Sequence, residues 1–270
     1  DIVLLQGMSL LQETYKDIGL RPMNDMDLWV MPDNFSKLVD TLIKQGFESN
    51  RLYPQTYCKG EIVLDIHTHL LWADRIKARE YLLSKSQDEI FRNTKPINID
   101  GGQARCLGPQ DQFLYLGLHA LKHNFERLLW LVDIKSLVAK WQPSDWDGLV
   151  KRAEELGHEK TVRYILYLLT HLFDIRLPSE IYSFLRKQKP GYLEKRILHK
   201  RIEGRSISTW AQLMMISNGR RTRERLSFIL ETLFPRPEIL RQVFANTPKL
   251  SVPQLYWRRI LQVVGIGRLS

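Results

Sequence analysis

The sequence contains little cysteine and no long apolar run, repeat or low-complexity tract. Its two cysteines, Cys58 and Cys106, lie far apart, which excludes a disulfide scaffold and a cysteine-rich zinc site. No run reaches the roughly 18 apolar residues that span a bilayer, and no secretory signal pattern is present. We therefore expect reduced thiols, a cytoplasmic location and no membrane partner.

Several catalytic signatures are also missing. The sequence has no GxSxG elbow, no GxxxxGK[ST] phosphate loop and no dinucleotide-binding glycine fingerprint. These absences disfavour acyl transfer, P-loop hydrolysis and hydride transfer.

The chain contains 270 residues, enough for one large domain or two modest ones. Short strands mix with helices up to about residue 100, whereas long helical periodicities follow Pro109. We predict the α+β class, with a small mixed β-sheet and flanking helices over residues 1–104 and a mainly helical domain over 105–270. Because the chain opens at Asp1 without Met, we expect an upstream segment in a longer protein.

Local patterns predict the elements around the first domain's sheet. Gly60 predicts a hairpin, and Gly46 a helix C-terminus. Ser144 and Asp145 are typical helix caps. The predicted segments are strands at residues 2–5, 26–31, 52–59 and 61–70, a turn at 7–9, and helices at 10–16 and 35–45, the second capped by residues 32–34.

The net charge is +10, and most of it lies between Arg186 and Arg225. That stretch holds twelve Lys or Arg residues against three Glu, a net charge of +9. Such a run is either a solvated basic helix surface or a nucleic-acid-binding patch. Aromatic residues of the kind that stack on single strands are few there.

Three acids carry the strongest chemical signal. Asp25 and Asp27 flank one apolar residue at a strand start, so both carboxylates point to one side. Asp65 and His67 share a face of a later strand, opposite its apolar face. Like charges held this close are costly unless they are solvated or neutralised by a cation, and carboxylates suit Mg²⁺. Three such acids can hold two ions about 4 Å apart for attack on a nucleotide α-phosphate.

The same residues resemble the nucleotidyltransferases related to DNA polymerase β. The similarity lies in LLQGMSLLQETY at 4–15, GLRPMNDMDLWV at 19–30 and LDIH at 64–67. The similarity is strongest to a bacterial branch of uncharacterised members of this group. The segments HALKH at 119–123 and WLVD at 130–133 also resemble that branch. Gln6 stands where that branch has Lys, and Met8 separates Gly7 from Ser9, which departs from the family's Gly-Ser dipeptide.

The resemblance implies a role for each matching residue. Asp25, Asp27 and Asp65 would be catalytic and hold Mg²⁺ or Mn²⁺. Gly7 and Ser9 would contact the nucleotide phosphates. The implied reaction moves an NMP group from an NTP, ATP among them, to an acceptor hydroxyl or phosphate and releases pyrophosphate. The acceptor is open: a small molecule, tRNA or a protein.

Other residues allow more than one interpretation. Arg21 either contacts the triphosphate or pairs with Asp25, and His67 either contacts nucleotide, orients Asp65 or is structural. His119 and His123, at i and i+4, are a zinc pair, a structural pair or a pair close to the nucleotide. Ala120 replaces the Glu of a zinc-protease helix.

Two other functional classes also stay open. One is a transferase fold without catalysis that serves as a binding or regulatory protein, with RNA among its ligands. The other is a helical nucleic-acid binder.

Overall fold

The computed structural model describes residues 1–71, 77–187, 189–205, 215, 222–245 and 250–264. It confirms the predicted α+β class, since a mixed sheet with flanking helices precedes a helical region. The strands are β1 Val3–Leu4, β2 Met26–Trp29, β3 Glu48–Ser49, β4 Thr56–Lys59, β5 Ile62–His67, β6 Lys95–Ile99 and β7 Gly102–Cys106. The helices are α1 Gln6–Glu13, α2 Pro32–Lys44, α3 Gln87–Arg92, α4 Pro109–Lys122, α5 Leu128–Val138, α6 Pro143–Leu156, α7 Glu159–Phe173, α8 Ser179–Lys187, α9 Tyr192–Ile202, α10 Thr222–Leu233, α11 Pro237–Val243 and α12 Val252–Val264. Among the described helices, none is long and apolar enough to cross a membrane.

The seven strands form one sheet in the order β3-β4-β5-β2-β1-β7-β6. The β2–β5 and β1–β7 pairs are parallel, and the other neighbours are antiparallel. Apolar side chains of one sheet face, including Leu28, Leu64 and Ile66, form a buried cluster with Leu42 of α2. Burying a side chain of this size contributes about 1.5–3 kcal/mol. The face that carries Asp27 and Asp65 is therefore the one turned away from this cluster.

Two hairpins shape the sheet. The predicted β4–β5 hairpin is confirmed, and Gly60 adopts φ +57° at its turn. The β6–β7 hairpin was not predicted, although Asp100 and Gly101 at its turn are a common hairpin pair. Both turn residues take left-handed conformations, with φ +50° and +84°.

The predicted turn at residues 7–9 is wrong. Helix α1 begins at Gln6, directly after β1, so Gly7 and Ser9 lie in its first turns. Gln6 adopts φ +47°, which reverses the chain without a separate loop. The helix also ends at Glu13 rather than residue 16.

Two predicted helix starts are also wrong. Helix α2 begins at Pro32 after Met31, because proline suits the first helical position. Helix α6 begins at Pro143, and Gln142 is its N-cap. Asp145 lies inside this helix, where its carboxylate accepts a 2.9 Å hydrogen bond from the Gln142 N–H. Gly46 fits its prediction, since it follows α2 with φ +83°.

The chain divides into two compact units, each of which draws on distant parts of the sequence. The first contains residues 1–79, 86–108 and 231–259, and the second contains 80–85, 109–230 and 260–270. Residues 231–259 therefore belong with the sheet. The division into independently folding domains at residues 104/105 stays a prediction.

Within the second unit, His158 is a fully buried polar anchor. Its Nε2 lies 2.5 Å from the Leu82 carbonyl oxygen, which can only accept, so Nε2 carries the proton. Its Nδ1 lies 3.3 Å from the Thr161 hydroxyl and accepts from it. Burial lowers the pKa of His158 to about 4.

This burial makes stability depend on pH. The unfolded chain takes up a proton at His158 below its ordinary pKa of 6.5, whereas the folded chain resists it down to about 4. We expect the stabilisation to be complete above pH 6.5 and to fall by about 3 kcal/mol as pH drops to 4. Urea denaturation across this range should show a flatter pH dependence for His158→Gln than for wild type. The exposed His171, mutated to Gln, should behave as wild type.

Candidate functional site

Asp27 and Asp65 are direct neighbours on two parallel strands at the centre of the sheet. The β2–β5 register pairs Asp27 with Asp65 and Trp29 with His67. Paired positions on adjacent strands lie about 4.8 Å apart and direct their side chains to the same face. The two acids and His67 therefore share one face, as the sequence predicted.

Each carboxylate has a fixed hydrogen-bond partner. His67 Nε2 donates to Asp27 Oδ1 at 2.8 Å, and both side chains are largely buried. The Thr56 hydroxyl donates to Asp65 Oδ1 at 2.5 Å from the neighbouring strand β4. The other ring nitrogen of His67, Nδ1, is buried and has no hydrogen-bond partner. The pair is therefore held in a defined orientation.

The fit of these acids to a hard cation is partial. Asp25 is exposed and lies one residue before the start of β2. Over the residues that the structure describes, no three His, Cys, Asp or Glu side chains form a ready-made metal cluster. Mg²⁺ is usually held by one or two carboxylates together with substrate phosphates. Asp27 and Asp65, with Asp25 close in sequence, fit that mode.

The start of α1 lies next to Asp27. The backbone N–H of Leu5 donates to the Asp27 carbonyl at 3.0 Å. Leu5 is the N-cap of α1, and its apolar side chain makes no capping hydrogen bond. A Cβ at Gly7 would overlap the Met23 side chain and lie 3.6 Å from the Arg21 guanidinium carbon. The structure therefore brings Gly7 and Arg21 together.

Ser9 and Arg21 are both buried. Ser9 has no exposed surface, and Arg21 is 7% exposed, with Nη1 donating to the Pro22 carbonyl at 2.7 Å. Both side chains are therefore enclosed by protein rather than exposed to solvent.

A cleft of about 310 Å³ opens at Asp65 and His67. Its lining comes from β4, β5 and the residues before β4, together with Arg236 and α11, all within the first compact unit. The volume is at the lower end of the range for small-molecule sites.

Two features of this site were not predicted. Thr56 was detectable, because a hairpin turning at Gly60 pairs residue 56 with 65. No local sequence pattern predicts that α11 lines the cleft, because this depends on a contact between residues about 170 positions apart.

Two other sequence candidates lie elsewhere. The rings of His119 and His123 pack 4.7 Å apart, and Trp130 lies 5.0 Å from His119. This aromatic packing favours the structural interpretation of the pair. In the basic segment 186–225, residues 188, 206–214 and 216–221 lie outside the described residues.

Comparison with known proteins identifies a family. A family model described as an uncharacterised nucleotidyltransferase matches residues 1–174, which include β1–β7 and all predicted site residues. No curated protein and no solved structure matches the chain significantly. Because the match covers more than half of the 270 residues, the chain belongs to this family of uncharacterised nucleotidyltransferases.

Proposed function

We propose that the protein transfers an NMP group from an NTP to an acceptor oxygen, in a reaction that depends on Mg²⁺ or Mn²⁺. The acceptor oxygen attacks the α-phosphorus, the bond to the bridging oxygen of the β-phosphate breaks, and pyrophosphate leaves. The observation that supports this most is the in-register pairing of Asp27 with Asp65 beside the start of α1.

Each residue of the site has a distinct task in this proposal. Asp25, Asp27 and Asp65 would hold the metal. When bound, the ion would neutralise the phosphate charge that develops during transfer. Asp65, oriented by the Thr56 hydroxyl, takes the proton of the acceptor hydroxyl. His67 fixes Asp27 through its 2.8 Å hydrogen bond.

The phosphates have a separate place. The first turn of α1 presents backbone N–H groups, which favour anions at a helix N-terminus. Gly7 leaves room for the Met23 side chain to pack against this turn, and Arg21 places positive charge close to it. This arrangement supports binding of the β- and γ-phosphates near Asp27.

A transfer assay tests the proposal. The full chain is incubated with Mg²⁺, each α-labelled NTP in turn and a cell extract that supplies acceptors. We expect pyrophosphate release together with label on an acceptor, loss of both after EDTA, and recovery on adding Mg²⁺ or Mn²⁺. Nucleotide binding without any transfer would instead favour the regulatory alternative.

A further inference from the structure

The cleft at Asp65 combines the family-matched sheet with a later part of the chain. Asp65 and His67 come from β5, whereas Arg236, Glu238 and Gln242 lie well beyond residue 174, where the family match ends. All of them belong to one compact unit. Part of the lining is therefore supplied by a segment that the family model does not cover.

The order of the strands assigns opposite sides to the two substrates. Helix α1 follows β1, which lies on one side of β2 and Asp27. The cleft lies on the other side, at β4 and β5. In phosphoryl transfer the attacking and leaving oxygens are roughly in line across the phosphorus. With pyrophosphate leaving toward α1, the acceptor approaches from the cleft, where Asp65 can take its proton.

The charges of the lining disfavour a polyanionic acceptor. Among the lining residues that the structure describes, Arg236 supplies one guanidinium and Glu238 one carboxylate, while Asp65 would share its charge with the metal. A phosphate-rich chain would gain little from a single arginine whose charge Glu238 offsets. The lining therefore favours an acceptor without net negative charge.

The uncharged lining residues suit a small hydroxylated molecule. The amides of Gln55 and Gln242 each donate and accept hydrogen bonds, as hydroxyl groups do. Ile239 adds apolar surface for a ring face. A cleft of about 310 Å³ has room for a small molecule.

On the basis of the proposed function, we infer that this cleft is the acceptor site and that α11 selects the acceptor. The acceptor class is a small polyhydroxylated molecule, neutral or cationic, whose hydroxyl loses its proton to Asp65 as its oxygen bonds to the α-phosphorus. Glu238 and Gln242 set the specificity.

A defined acceptor panel tests this inference. The full chain is given Mg²⁺, labelled NTP and one of glucose, glucosamine, glucose 6-phosphate or a short single-stranded RNA. We expect label on glucose or glucosamine, with kcat/KM about tenfold or more above that for glucose 6-phosphate, and none on RNA.

Gln242→Ala should raise the KM for the labelled sugar about tenfold through a lost hydrogen bond, with nucleotide affinity by calorimetry unchanged. Glu238→Lys should shift the preference toward glucose 6-phosphate about tenfold.

Matched controls lie in the same unit. Arg241→Ala changes a neighbour of Gln242 on α11 that does not line the cleft, and Asp40→Lys reverses an exposed acid on α2. Both should behave as wild type. If nucleotide binding is intact but label appears only on RNA, or on none of the sugars, the inference about the acceptor is wrong while the proposed function stands. The same conclusion follows if the cleft variants behave like their controls. Absence of nucleotide binding in the wild type would overturn the proposed function and the inference together.

Discussion

Replacing Asp27 with Asn should lower label transfer by about 10³-fold or more, because a charge beside the reacting phosphate is lost. The substitution keeps the shape of the side chain. An Asn oxygen can still accept from His67 Nε2, which donates at 2.8 Å in the native chain. The sheet should therefore fold as before. The measurement is pyrophosphate release at saturating Mg²⁺ and NTP, with circular dichroism as the check on folding.

The control for this prediction is Asp40→Asn, which removes an equal charge from the exposed surface of α2. It should keep wild-type activity. Asp65→Asn should lose activity as Asp27→Asn does, and the double variant should be little worse, because residues that act as one unit are not additive. Transfer that survives Asp27→Asn in a folded protein would contradict the assignment of this pair.

Replacing Trp29 with Ala should lower the free energy of unfolding by about 3–5 kcal/mol. Trp29 has no exposed surface and lies beside His67 in the β2–β5 register. Its ring meets Phe91 of α3 edge to face, with centroids 5.4 Å apart and planes at 78°. Removing the indole leaves a large cavity next to the acids. Urea denaturation, with hydrogen exchange of the β2 and β5 amides, measures the effect.

Trp29→Phe is the matched control. It keeps an aromatic ring against Phe91 and removes the indole N–H, which is buried without a hydrogen-bond partner. Relief of that unsatisfied donor offsets part of the lost packing. We expect a cost below about 2 kcal/mol. An Ala variant as stable as the Phe variant would show that the packing of this ring does not support the sheet.

The sequence predicted the features that depend on short-range patterns. Alternation along 62–67 placed Asp65 and His67 on one face, and Gly60 marked the hairpin; both are confirmed. The pairing of Asp27 with Asp65 follows once the β2 and β5 strands are neighbours, but no local pattern specifies that register.

The errors have physical causes. Gly7 and Ser9 are typical turn residues, yet the positive φ of Gln6 turns the chain one residue earlier and lets α1 begin at once. Residues 32–34 were predicted to cap α2, but Pro32 is the first residue of the helix, because proline is favoured at that position. The approach of α11 to β5 depends on tertiary packing. Tertiary packing overrides local propensity and cannot be read from the periodicity of the sequence.

Calorimetric titration of an NTP into the full chain, with and without Mg²⁺, tests the central claim most directly, since it needs no acceptor. We expect saturable binding that requires Mg²⁺, disappears with EDTA and is weakened in the folded Asp27→Asn and Asp65→Asn variants. No binding with Mg²⁺ present, or equal binding by wild type and both variants, would contradict it.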